Sequence, residues 1–202
     1  MRSSPVARSL GLALLAAGLS CCGDADLGTS PNHDENFSFE TGWSDWFAKA
    51  RDLTNPVDNW EVTRSSERAS EGSQSVRLFL DNPNSQGKVW IERRYMVDKN
   101  QTYDVDISFD FATGDFGSAN LWKVIASGGP DSPATAGVAA AQGDTGTGTS
   151  SDQGFTWLHK TFSVPTESDG DAELFVYVGV WGTWPFARTY YLDNVKVALT
   201  KR

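Results

Sequence analysis

The 202 residues include eight tryptophans, five tyrosines and eleven phenylalanines, and several of these rings recur on one side of alternating stretches. From Ala172 to Trp181, Leu174, Val176, Val178 and Val180 share one parity, while Phe175, Tyr177 and Trp181 share the other. A period of two places these sets on opposite faces of a strand. Trp90 stands opposite Val89 and Ile91, and Trp122 stands opposite Leu121 and Ile125. Trp184 follows in the stretch Gly182-Thr-Trp-Pro-Phe186. Rigid amphipathic rings stack on the apolar C–H faces of sugars, while nearby Asp, Asn, Gln and Arg bond the hydroxyls. Trp90, Trp122, Tyr177, Trp181 and Trp184 are therefore the candidate ligand-binding residues. The competing role for each is to fill space between sheets or under loops. Trp43, Trp46 and Trp60 are assigned to packing.

Catalysis finds little support. His159 is the only histidine outside the polar N-terminal segment, and it falls on the polar parity of its stretch. No serine has a visible base partner, and Gly-x-Ser-x-Gly does not occur. Asp104, Asp106 and Asp110 alternate with apolar residues, the pattern of a solvated sheet face. The chain reads as non-catalytic. Its formal net charge of -9 argues against nucleic acid and anionic lipid as partners.

The elements that must position these residues are strands. Tyr103, Val105, Ile107, Phe109 and Phe111 alternate with Asp104, Asp106, Ser108 and Asp110, so one face is apolar and the other polar. An antiparallel sheet with one face in a core and one in water accounts for this. Similar runs recur at 36–40, 59–65, 75–80, 88–97, 120–126, 155–164, 172–181 and 188–199, with polar turns between them. Expected inward residues include Val76, Leu78, Val105, Ile107, Phe109, Val176, Val178 and Val195. About nine strands without an amphipathic helix make an all-β chain, an antiparallel β-sandwich. Residues 127–154 are rich in Gly, Ala, Ser, Thr and Asp and read as a long mobile loop.

Met1 to Ser20 carries an early positive charge and a short apolar core, the form of an export signal. Gly18-Leu-Ser-Cys-Cys22 resembles a bacterial lipoprotein signal, in which the cysteine after the cleavage point is acylated. Either Cys21 or Cys22 fits, and they are the only cysteines in the chain. The alternative is an ordinary secretory signal. The expected organisation is a signal segment over 1–21, a flexible stalk over 22–35 and a sandwich domain over 36–202. Acyl chains tether such a domain to a membrane, here the outer membrane or cell surface.

Four motifs in order complete the reading: Asn36-Phe-Ser-Phe-Glu40, Glu71-Gly-Ser-Gln-Ser-Val-Arg-Leu78, Gln101 to Phe109, and Tyr191-Leu-Asp-Asn-Val-Lys-Val197. As a set they resemble the galactose-binding-like jelly-roll domains, especially carbohydrate-binding modules. The resemblance covers about residues 36–199. It implies a jelly-roll winding, a polysaccharide or glycan ligand, and one structural calcium ion, with Glu40 and Asp193 at the acidic positions that hold it. The alternative is a structural or protein-interaction lipoprotein without a sugar site.

Overall fold

The computed structural model describes residues 32–53, 60–114, 121–136 and 155–202. The export signal, Cys21, Cys22, most of the stalk and most of the 127–154 stretch lie outside the described residues.

Two antiparallel sheets face each other. The first contains β1 (His33–Phe37), β3 (Trp60–Ser65), β4 (Ser75–Leu80), β6 (Thr102–Thr113), β8 (Leu158–Glu167) and β10 (Arg188–Lys201). The second contains β2 (Phe47–Arg51), β5 (Lys88–Met96), β7 (Trp122–Gly129) and β9 (Glu173–Gly182). The strand orders are β3-β4-β10-β6-β8, with β1 also on β10, and β2-β5-β9-β7. Among the described strands, every consecutive pair except β3–β4 lies on opposite sheets, which is the winding of a jelly roll. The expected all-β antiparallel sandwich is what the chain forms.

The spine is β10. Along one edge it pairs with β6; along the other it pairs first with β4 and then with β1. The pairing with β6 slips between Asp193 and Lys196, where Asn194 takes a φ of 48°. Such a bulge re-aims side chains at one point of a sheet. Alternation does the rest. Tyr103, Val105, Ile107, Phe109 and Phe111 enter the core from β6, and Leu174, Val176, Val178 and Val180 meet them from β9. All eight expected inward residues are buried. Each such side chain contributes about 1.5–3 kcal/mol on leaving water.

Three local differences stand out. The first described strand starts at His33, inside the expected stalk, and the His33 ring packs edge-on against Tyr95. Phe47–Arg51 is a strand that the alternation did not announce. Its core-facing residues are only Ala48 and Ala50, so its hydrophobic pattern is faint. The expected loop at 127 starts late: β7 runs to Gly129, and one helical turn, α1 (Pro133–Ala136), follows.

Candidate functional site

The outer face of the four-stranded sheet is built from four rows fixed by register. Arg51, Lys88, Trp181 and Lys123 form one row; Lys49, Trp90, Gly179 and Ile125 form the next. Phe47, Glu92, Tyr177 and Ser127 follow, and then Arg94, Phe175 and Gly129. Three of the expected ligand residues, Trp90, Tyr177 and Trp181, thus share one outer sheet face. Gly179 makes this possible, because a Cβ there would stand 2.4 Å from Trp90 Cβ and 2.2 Å from the Val89 carbonyl.

Part of that strip is closed. Trp90, Tyr177 and Ile125 are buried together, with Ala134 and Trp181 packed on them. The cover is the segment around α1. Ser132 Oγ lies 2.9 Å from both carboxylate oxygens of Glu92, and Arg51 Nη1 donates to the carbonyls of Pro133 and Ala134. Trp90 Nε1 also donates to Glu92, at 3.1 Å. Trp181 stays partly exposed, with the Lys88 and Lys123 ammonium groups 4.5 and 5.0 Å from its ring centre.

Beside the cover the face is open. Phe47, Lys49, Glu92, Arg94 and Phe175 line a groove of about 300 Å³. Phe47 is 59 % exposed. Lys49 Nζ stands 3.6 Å from Glu92, and Arg94 Nη1 donates to Glu173 at 3.0 Å. Two phenyl rings beside two cations and a carboxylate can stack on a ring and bond its edges. Phe47, Lys49 and Arg94 escaped the sequence reading. The available signal was the alternation of Phe47, Lys49 and Arg51 with small alanines, which marks an edge strand with its bulk outward.

Trp122 corrects the expectation. It lies between the sheets, 1 % exposed, with its ring 4.9 Å from Phe111 and 6.3 Å from Tyr190. Val124 and Ala126 join it in the main core, while Ile125 packs on the outer face. No ligand reaches the indole there. Trp184 is 50 % exposed on the β9–β10 loop, and Phe186 beside it is more exposed still. Asn82 Nδ2 pins that loop through the carbonyls of Gly182 and Trp184. From Phe175 to Gly182 the strand advances about 23 Å, so Trp184 is remote from the groove. Of the three tryptophans assigned to packing, Trp46 is buried and Trp43 packs on the core, whereas Trp60 is exposed at the start of β3 and does not fill the core.

Glu40 and Asp193, the expected calcium ligands, hold the β3–β4 connection instead. Glu40 Oε1 accepts from the Ser73 and Gln74 amides, and Oε2 accepts from Ser73 Oγ. The Ser73 amide, followed by the Gln74 amide and the Ser73 hydroxyl, holds the Glu40 carboxyl below its ordinary pKa. Asp193 Oδ2 accepts from the Ser70 and Glu71 amides and Ser70 Oγ, and Oδ1 accepts from the Asn194 amide. Burial nevertheless pushes the Asp193 carboxyl up. Calcium takes six to eight oxygens. Here all four carboxylate oxygens already face N–H or O–H donors. The nearby carbonyls of Phe39 and Glu40 accept from Arg64 Nε and Nη2, both at 2.7 Å. The donor set therefore does not fit the ion. Among the described residues no group of three or more His, Cys, Asp or Glu is placed to hold a metal.

Ser70, Asp110, His159 and Asn194 meet at the same place. Ser70 Oγ lies 2.7 Å from Asp110 Oδ2, and His159 Nδ1 lies 2.9 Å from Asp110 Oδ1. Asn194 Nδ2 donates to Ser70 Oγ and to Asp110. Burial raises the Asp110 carboxyl, but the bonds from Ser70, His159 and Asn194 outweigh it and leave the pKa lowered. A serine nucleophile needs a base on its own oxygen. Here the imidazole sits on the carboxylate, and the cluster ties a loop to a sheet.

No family model and no curated protein matches the chain. Solved structures do match. The K2 cleaved adhesin domain of Lys-gingipain is 14% identical with a TM-score of 0.51, over 81% of this chain and 97% of that chain. The cellulose induced protein Cip1 is 13% identical with a TM-score of 0.49, over 81% and 96%. TmCBM61, solved in complex with beta-1,4-galactotriose, is 14% identical with a TM-score of 0.42, over 82% and 94%. Carbohydrate-binding modules recur among the matches. At such identities the likeness is one of fold.

Proposed function

We propose that the chain is a non-catalytic glycan-binding lipoprotein of the cell envelope, tethered through Cys21 or Cys22. The observation that carries the sugar reading is the open groove on the outer face of β2, β5 and β9. It places Phe47 and Phe175 beside Lys49, Glu92 and Arg94. Aromatic faces supply the apolar contact, and the charged groups bond hydroxyls around the ring. The carbohydrate-binding-module type of fold supports the same reading.

A glycan array probed with the full chain tests it. Phe47→Ala together with Phe175→Ala lowers affinity for the best glycan about tenfold, the equivalent of about 1.4 kcal/mol. An array without any hit refutes the sugar reading. Fatty-acid labelling tests the anchor separately: Cys21→Ser with Cys22→Ser abolishes label and membrane association, and unchanged labelling refutes the tether.

A protein-interaction role is the second reading. The exposed Trp184–Phe186 loop favours it, since Asn82 holds two bare rings at the end of the sandwich.

A further inference from the structure

The six-stranded sheet also has an outer face, and part of it is hollow. We propose that this hollow is a second binding site, for a neutral polyhydroxylated ring the size of a hexose unit. Its volume is about 480 Å³, within the range of small-molecule sites, roughly 300–1,000 Å³.

Register explains the hollow. Asp34, Ala198, Asp106 and Ser163 form one row across β1, β10, β6 and β8. Asn36, Lys196, Ser108 and Thr161 form the next. Ala198 and Ser108 are the small central members of their rows, and longer side chains rise around them. Neighbouring strands are about 4.8 Å apart, so Asp34 and Asp106, two strands apart, leave a gap of about 10 Å. One sugar ring fits between them.

The chemistry of the rim selects the ligand. Carboxylates accept, the Lys196 ammonium donates, and the hydroxyls of Ser108, Thr161 and Ser163 do both. Asp34, Asp106 and Lys196 are exposed, and no hydrogen bond or ion pair joins their side chains to another described residue. Asp104 and Asp110 on the same face of β6 differ, since Arg202 and His159 engage them. Ligand hydroxyls around a ring satisfy acceptors on both sides at once. Two uncompensated carboxylates against one ammonium repel a uronate or a sulfated sugar.

The proposal rests on the glycan reading only for the choice of probe, because its residues lie on the opposite sheet. The test is calorimetric titration of the full chain with cellohexaose, mannohexaose and trigalacturonate. At least one neutral hexaose binds. Asp34→Ala with Asp106→Ala weakens that binding about tenfold or more, Ser108→Trp fills the hollow and abolishes it, and Phe47→Ala with Phe175→Ala leaves it in place. Neutral binding unchanged in the Asp variant and lost in the Phe variant overturns the second site and leaves the groove reading intact. Loss in the Asp and Trp variants alone supports the second site and counts against the groove. Absence of neutral binding in the unaltered chain overturns it, as does trigalacturonate competing at this face.

Discussion

Arg64→Ala removes the one cation that spans the Phe39 and Glu40 carbonyls. Both bonds are 2.7 Å and partly buried. Hydrogen bonds to a charged group contribute about 1.5–3 kcal/mol each, and water rehydrates part of what the substitution exposes. A net loss of about 3 kcal/mol follows. For a domain of this size, each kcal/mol moves the melting midpoint by about 2–4 °C, so the fall is about 6–12 °C. Arg64→Lys falls by about half as much, because one ammonium cannot span both carbonyls as a planar fork does. Melting is followed by circular dichroism, in chelator and in millimolar calcium. The unaltered chain melts at the same temperature in both. An ion held by Glu40 and Asp193 gives a different result: at a hundredfold excess over Kd it adds about 2.7 kcal/mol, raising the midpoint by about 5–11 °C. Such a rise refutes the argument that hydrogen-bond donors have taken up the oxygens. A midpoint for Arg64→Ala within a degree of the unaltered chain refutes the magnitude.

Gly72→Ala destabilises by about 2–4 kcal/mol, because its φ of 68° disfavours a side chain and the new Cβ stands 2.5 Å from Glu40 Oε1. Gly42→Ala, with nothing within 4 Å, is the control, and equal melting of the two variants contradicts the geometry. Trp122→Ala costs about 3–5 kcal/mol as a core cavity, whereas Trp184→Ala leaves denaturant unfolding within about 0.5 kcal/mol of the parent. The lowered carboxyls of Glu40 and Asp110 add stability that is fully present above the ordinary carboxylate range and is lost as pH falls through their depressed values. Asp193 has the opposite sign: its raised pKa favours the fold below the ordinary value, and that advantage is lost as pH rises through the raised one. Protection factors of the Ser73 and Gln74 amides, which Glu40 accepts, therefore fall on acidification before those of β6 and β9. Unchanged protection at low pH contradicts the role given to Glu40.

The fold was legible where burial enforces a period. The β6 and β9 stretches alternate cleanly because one face of each packs on the opposite sheet, and a slip of one residue would reverse every side chain. The β2 strand was not legible, because this edge strand carries only alanine on its inner side. Trp122 was misplaced for a related reason. Apolar residues fall on both faces of β7: Trp122, Val124 and Ala126 go inward, while Ile125, between Lys123 and Ser127, meets Trp90 and Tyr177 outward. When large apolar residues stand on both faces, period alone cannot say which one is the core. The opposing residues decide it, since the space beside Phe111 and Tyr190 demands an indole. Glu40 and Asp193 were found as a pair worth notice, but a motif specifies acidic residues without saying what meets them. Which donors reach their carboxylates depends on the 66–74 loop and on the Asn194 amide.

The two outer faces are therefore where function is free to vary. Inner faces are constrained by close packing, where one methylene more or less is felt. On the second sheet the outer face has become a small apolar cluster of its own, covered through the Ser132 and Arg51 bonds, with a groove open at Phe47 and Phe175. On the first sheet the outer face stays polar, and its carboxylates divide into two kinds. Asp104, Asp110 and Asp193 accept hydrogen bonds from neighbours and hold Arg202 and a loop in place. Asp34 and Asp106 hold nothing within the described chain. A carboxylate engaged by the protein stabilises the fold and is a poor acceptor for a ligand; one left to water keeps its acceptor sites available. That division, rather than the number of acidic residues on the sheet, places the second site over Ala198 and Ser108 and not over Asp193.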